Sequence, residues 1–127
     1  MPTAPIDQRG PGHETALTHL IDDMAVTGRF FSVLADPTRL AILRLLLQRE
    51  HSVGELVESL GVSQSRVSNH LACLRWCEFV TVERQARRAI YRIADTRLAD
   101  VLNAADRLSG DMCDHLSSCT RIGPAWI

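Results

Sequence analysis

Lysine is absent from this chain of 127 residues, and all 14 of its basic residues are arginine. Guanidinium groups favour bidentate contacts with phosphate or guanine, although coding bias gives the same composition. Cysteine is missing before Cys73; the four present are Cys73, Cys77, Cys113 and Cys119. The opening residues, Met1 to Pro5, lack the basic and apolar regions of a secretory signal, so a cytoplasmic location is expected. Thiols there stay reduced, which favours a ligand or redox role over structural disulfides. No long apolar run occurs: the stretch from Leu40 to Leu47 is broken by Arg44, which excludes a membrane span. Cys-x-x-Cys, a nucleotide-binding glycine loop and cofactor motifs are also lacking, which argues against an enzyme.

The length gives one domain with a real core, and 46% hydrophobic with 23% charged residues is ordinary for a globular protein. A net charge of −1 looks wrong for a nucleic-acid binder, but the charge is unevenly placed. Between Gly61 and Arg92 stand Arg66, Arg75, Arg84, Arg87, Arg88 and Arg92 against Glu78 and Glu83, a local balance of +4. The stretch up to Ala35 runs the other way, with Asp7, Glu14, Asp22 and Asp23 against Arg9 and Arg29. Local charge outranks net charge in binding a polyanion.

Residues 1–13 hold three of the five prolines and few apolar residues, and read as a disordered arm. From Glu14 to Leu34 the apolar spacing predicts one or two helices with a soft point at Gly28. Asp36-Pro37 reads as an N-cap with proline in first helical position, opening an apolar helix through Leu47. Ser52-Val-Gly-Glu55 matches a capping box. The short helix that follows stops at Gly61, and Ser63 caps the next one. Helix, tight glycine turn, helix is the helix-turn-helix pattern. Residues 79–84 and 89–93 alternate around a basic polar turn and predict a β-hairpin wing. Asp95 is expected to cap a last helix carrying Leu98, Val101, Leu102, Ala105 and Leu108, an apolar stripe suited to dimerisation. The expected fold is mainly α with a β-hairpin wing, a dimeric winged helix-turn-helix over residues 14–110, followed by a cysteine-bearing tail over 111–127.

The run from Leu34 to Leu43, then Gly54 to Val57, Ser63 to Arg75 and the hairpin ending Ile90-Tyr-Arg-Ile93, resembles the ArsR/SmtB family of dimeric winged helix-turn-helix metal-responsive repressors. The resemblance runs from about Thr27 to Ser109. It implies an apo homodimer on operator DNA that a metal or another signal releases. One metal site of the family uses a Cys-Val-Cys-Asp-Leu motif; the matching stretch here, Ser52 to Leu56, has no cysteine. A second, on the last helix, uses Asp, His, His and Glu; Asp95 matches the first, but Arg97 and Leu108 stand at histidine-type positions. What remains is the pattern of the cadmium/lead branch, two cysteines in the recognition helix joined by one from the partner's tail. Cys73 and Cys77 fit it, with Cys119 or Cys113 as the third ligand, and a mercury-responsive member would be expected to use the same arrangement.

At about 100° per residue, Val67, Leu71 and Leu74 face the core, while Arg66, His70, Cys73 and Cys77 share the neighbouring face. Residues four apart on a helix lie about 5–6 Å apart at Cβ, close enough for two thiolates to grip one soft ion. Three thiolates favour mercury, then cadmium or lead. Candidate DNA contacts are Ser63, Gln64, Ser65, Arg66, Ser68, Asn69 and His70 on the helix, and Arg84, Arg87 and Arg88 on the wing. His70 is weighed as helix positioning rather than as a metal ligand. His13, His19 and His51 are expected in solvent, and Trp76 packed beside the cysteines. A thiol redox switch on the same fold is the alternative function.

Overall fold

The computed structural model describes residues 10–112, with side chains from His19 onward. In chain order they form α1 (Gly10–Leu34), α2 (Pro37–Gln48), β1 (His51–Ser52), α3 (Val53–Leu60), α4 (Gln64–Trp76), β2 (Val80–Gln85), β3 (Arg88–Ile93) and α5 (Leu98–Asp111). The three strands make one antiparallel sheet in the order β1-β3-β2. Helices α3 and α4 are the helix-turn-helix, and β2 with β3 is the wing.

Local chemistry sets each boundary. The Asp36 carboxylate accepts from the backbone N–H groups of Thr38 and Arg39 at 2.8 and 3.0 Å, and Pro37 occupies the first turn of α2, where its missing N–H costs nothing. The capping box forms in full: Ser52 Oγ accepts from Glu55 N at 3.2 Å, and Glu55 Oε1 accepts from Ser52 N at 2.8 Å. Helix α3 ends on Gly61 at φ 68°, a left-handed backbone that a side chain would strain.

Helix α2 is the centre of the core. Its Ile42, Leu43 and Leu46 meet Leu56 of α3, Val67, Leu71 and Leu74 of α4, Val80 of β2, and Leu98 and Leu102 of α5. Arg44, the charge that interrupts the apolar run, lies at the edge of this core. Its guanidinium donates to the Leu102 carbonyl and the Asn103 side chain, both at 2.9 Å, and pairs with Asp106, tying α2 to α5.

Several expectations are corrected. Helix α1 is single, one of the two readings its spacing allowed, but it opens at Gly10, inside the stretch read as an arm; Pro11 is compatible with a first turn. Helix α5 opens at Leu98 without a side-chain cap, because Asp95 is spent one turn earlier, accepting from the Arg97 backbone N–H at 2.9 Å and its guanidinium at 2.7 Å. This helix runs to Asp111, one residue beyond Gly110. His51 is buried, not solvated: it lies in β1 opposite Tyr91, 3% exposed, with Nδ1 2.8 Å from the Arg49 carbonyl.

Much apolar surface stays uncovered within the single chain. Leu20, Ile21, Met24, Val26 and Phe31 on α1 are exposed, as are Leu108 on α5 and its C-cap Met112. Among the described residues, no helix is long and apolar enough to cross a membrane.

Candidate nucleic-acid interface and thiol pair

Ser63 positions α4 by accepting from Arg66 N at 3.2 Å. The helix buries Val67, Leu71 and Leu74 and exposes Gln64, Ser65, Ser68 and Asn69 along its outer side. Arg66 is exposed as well, but its guanidinium reaches back to Thr38 Oγ1 at 3.3 Å. His70 turns inward, its side chain 18% exposed and its Nε2 3.9 Å from Asp36 Oδ1. The two contacts fasten α4 to the start of α2, so His70 occupies a positioning place rather than the outer side.

On the wing, the register pairs Gln85 with Arg88 and leaves Ala86-Arg87 as a two-residue turn, with Ala86 at φ 56°. The local charge of +4 is partly spent inside the fold. Arg92 bridges Glu50 and Glu83, and Arg88 lies 3.4 Å from Glu55. Arg84 and Arg87 have no carboxylate partner among the described residues and stand exposed at the tip.

Cys73 and Cys77 come together, though not within one helix. Helix α4 stops at Trp76 and Cys77 is its C-cap. Glu78 then adopts φ 64°, Phe79 N donates to the Leu74 carbonyl at 2.8 Å and Glu78 N to the Arg75 carbonyl at 3.0 Å, the two bonds of a Schellman turn. Cys77 N still donates to the Cys73 carbonyl at 3.0 Å, which keeps the pair one turn apart. Cys73 is half-buried and Cys77 exposed. The Cys77 thiol is pushed above its ordinary value, first by loss of water around the sulfur, then by the neighbouring Cys73 thiol; Arg39 pulls the other way. Cys113 and Cys119 lie outside the described residues. Among the described residues no three His, Cys, Asp or Glu side chains converge as a metal site.

Trp76 does not pack beside the cysteines; it is 89% exposed. Cys77 opens instead onto a cleft of about 450 Å³ lined by Phe30, Phe79, Leu98 and Val101, with Glu78, Asp95 and Arg97 around it. Phe30 and Phe79 stack there with ring centroids 5.2 Å apart. Arg39 is a site neighbour that sequence reasoning missed. Its Nε donates to the Val33 carbonyl at 2.7 Å, closing the end of α1, and its backbone is capped by Asp36. Its place three residues after an Asp N-cap is the one signal the sequence carries for this.

Comparisons with known proteins agree with this architecture. Residues 36–82 match the family described as "Bacterial regulatory protein, arsR family". A probable mercury resistance operon repressor from Streptomyces lividans is 45% identical over 96 residues, covering 76% of this chain and 77% of that protein. The solution structure of the cadmium metal-sensor CmtR from Mycobacterium tuberculosis is 43% identical, with a TM-score of 0.53 over 61% of this chain and 80% of that one. A homodimeric winged helix-turn-helix DNA-binding domain from Mycobacterium bovis is 28% identical, with a TM-score of 0.61 over 78% of this chain and 89% of that one. With a cap-by-cap helix-turn-helix, a basic wing and this degree of identity along three quarters of a relative, the chain belongs to the arsR family of bacterial regulatory proteins, transcriptional regulators and not enzymes.

Proposed function

We propose that the protein is a homodimeric repressor that binds operator DNA and is released when a thiophilic metal is captured by Cys73, Cys77 and a tail cysteine, Cys119 or Cys113. The observation that carries this is the placement of Cys73 and Cys77 one turn apart at the end of α4, joined by the Cys77 N–H to Cys73 carbonyl bond at 3.0 Å. Two adjacent soft donors, with no cluster of carboxylates around them among the described residues, suit mercury first, then cadmium and lead. The S. lividans and CmtR relatives, named for mercury and cadmium, support the same ligand class. The exposed leucines, methionines and phenylalanine of α1 and α5 are the surface a second copy would cover.

In the apo dimer, Gln64, Ser65, Arg66, Ser68 and Asn69 would meet base edges in successive major grooves about 34 Å apart. Ser63 would meet phosphate at the helix start, and Arg84, Arg87 and Arg88 the flanking backbone. Capture of a third thiolate pulls on Cys77 and shifts α4 from that register. Linkage requires DNA to weaken metal binding by the same factor. A redox switch on the same cysteines is the alternative, and the relatives named for mercury and cadmium favour the metal.

A gel-shift titration tests the proposal. Release of the operator by Hg(II), Cd(II) or Pb(II) in thiol-free buffer is expected, with the most effective ion naming the inducer. Binding indifferent to all three would overturn it, and release by peroxide alone would favour the redox switch.

A further inference from the structure

The cleft beside Cys77 has no part in the binding of a bare ion. Its volume, about 450 Å³, falls within the roughly 300–1,000 Å³ of small-molecule sites. Its walls are the stacked Phe30 and Phe79 rings, Leu98 and Val101, and its polar groups lie around Cys77 and the Asp95–Arg97 ion pair. Of the two thiols among the described residues only Cys77 lines it, and Cys77 is the exposed one. An apolar cleft with a single soft nucleophile on its lining suits a ligand that is itself half soft cation and half hydrocarbon.

We propose that this cleft receives the organic group of a monoorganomercury cation, an aryl group best of all, while Cys77 alone holds the metal. The inference rests on the thiophile reading above and extends its ligand class from free ions to carbon-bound mercury. A bare mercury ion gathers several thiolates, whereas a monoorganomercury ion already carries one carbon ligand and is completed by one sulfur. Neither Cys73 nor a tail cysteine is then required. The exchange balances without an oxidant: in phenylmercury hydroxide the Hg–O bond breaks, an Hg–S bond forms to Cys77, and the thiol proton leaves with hydroxide as water. Mercury stays divalent throughout. The phenyl ring, excluded from water, lies against Phe79 and Val101.

The full-length chain carrying Cys73→Ser, Cys113→Ser and Cys119→Ser, with Cys77 as its one thiol, is equilibrated with phenylmercury or methylmercury against excess glutathione. Normalising to glutathione removes the intrinsic Hg–S bond strength and leaves the cleft's contribution. Phenylmercury is expected to be favoured by about tenfold over methylmercury, the scale on which an apolar pocket discriminates hydrocarbon groups. Adding Val101→Phe, which fills the cleft, should bring that ratio to near one while methylmercury still binds. Nuclear Overhauser contacts from the phenyl protons to Phe79 and Val101 in the chain without Val101→Phe give a second readout that needs no cleft variant to fold. A ratio near one before the cleft is filled, or ring protons without those contacts, overturns the proposal. Neither readout uses DNA, so failure of Hg(II) to release the operator from the wild-type protein would refute the repressor mechanism separately.

Discussion

His70 on the reading helix stands 3.9 Å from Asp36, the residue that caps α2. One carboxylate thereby starts the central helix of the core and steadies the helix placed to read DNA. Its pKa is held below the ordinary value, chiefly by the Arg39 backbone N–H; burial opposes this, and His70, the Thr38 N–H and the Arg39 charge each lower it further. A carboxyl lowered by folding stabilises the fold above its unfolded pKa, and that stabilisation fades as pH falls through the folded value. Asp36→Ala should therefore cost about 1 kcal/mol at neutral pH. The difference from wild type should shrink below about pH 4, as urea denaturation at both pH values would show.

Arg84 and Arg87 are the wing cations without a partner among the described residues. Replacing either by Ala should weaken operator and random DNA alike, and reduce the slope of log affinity against log salt by about 1. Arg88→Ala should do less to the salt slope, because its guanidinium already faces Glu55. Fluorescence anisotropy over a salt series separates the three.

Gln64→Ala should instead relax sequence preference. Loss of a side chain reading a base edge costs about 1–3 kcal/mol on the operator and little on random DNA. Equal losses on both would remove Gln64 from the reading face.

Cys73→Ser and Cys77→Ser should bind operator as wild type does, yet remain bound when metal is added. Ultraviolet thiolate-to-metal absorption, repeated on Cys113→Ser and Cys119→Ser, identifies the tail ligand by which variant loses the band. A variant of Cys73 or Cys77 that metal still releases would take that thiol out of the sensor.

The caps were the most legible part of the chain. Asp36-Pro37, Ser52 with Glu55, Gly61 and Ser63 each act through backbone groups two to four residues away, so a short window of sequence contains the whole interaction. The heptad-like spacing of Val67, Leu71 and Leu74 likewise fixed the buried side of α4. What sequence hid depends on distant partners. His51 is covered because β1 joins β3 some forty residues later, and the two-residue strand has no periodicity to reveal it. Arg44 reads as an interruption until Leu102, Asn103 and Asp106 surround it. Trp76 reads as a packing residue beside the thiols, but the chain turns away at Cys77 and leaves the indole in solvent.

That turn has a consequence for how force enters the reading helix. Glu78 holds a left-handed backbone that costs a residue with a side chain roughly 1–2 kcal/mol, offset by two hydrogen bonds and the packing of Phe79 against the core. Cys77 thus sits between the last turn of α4 and a strained joint, and tension on its sulfur is shared by both. Glu78→Gly would unload the joint, raising thermal stability while changing how much metal is needed to free the DNA.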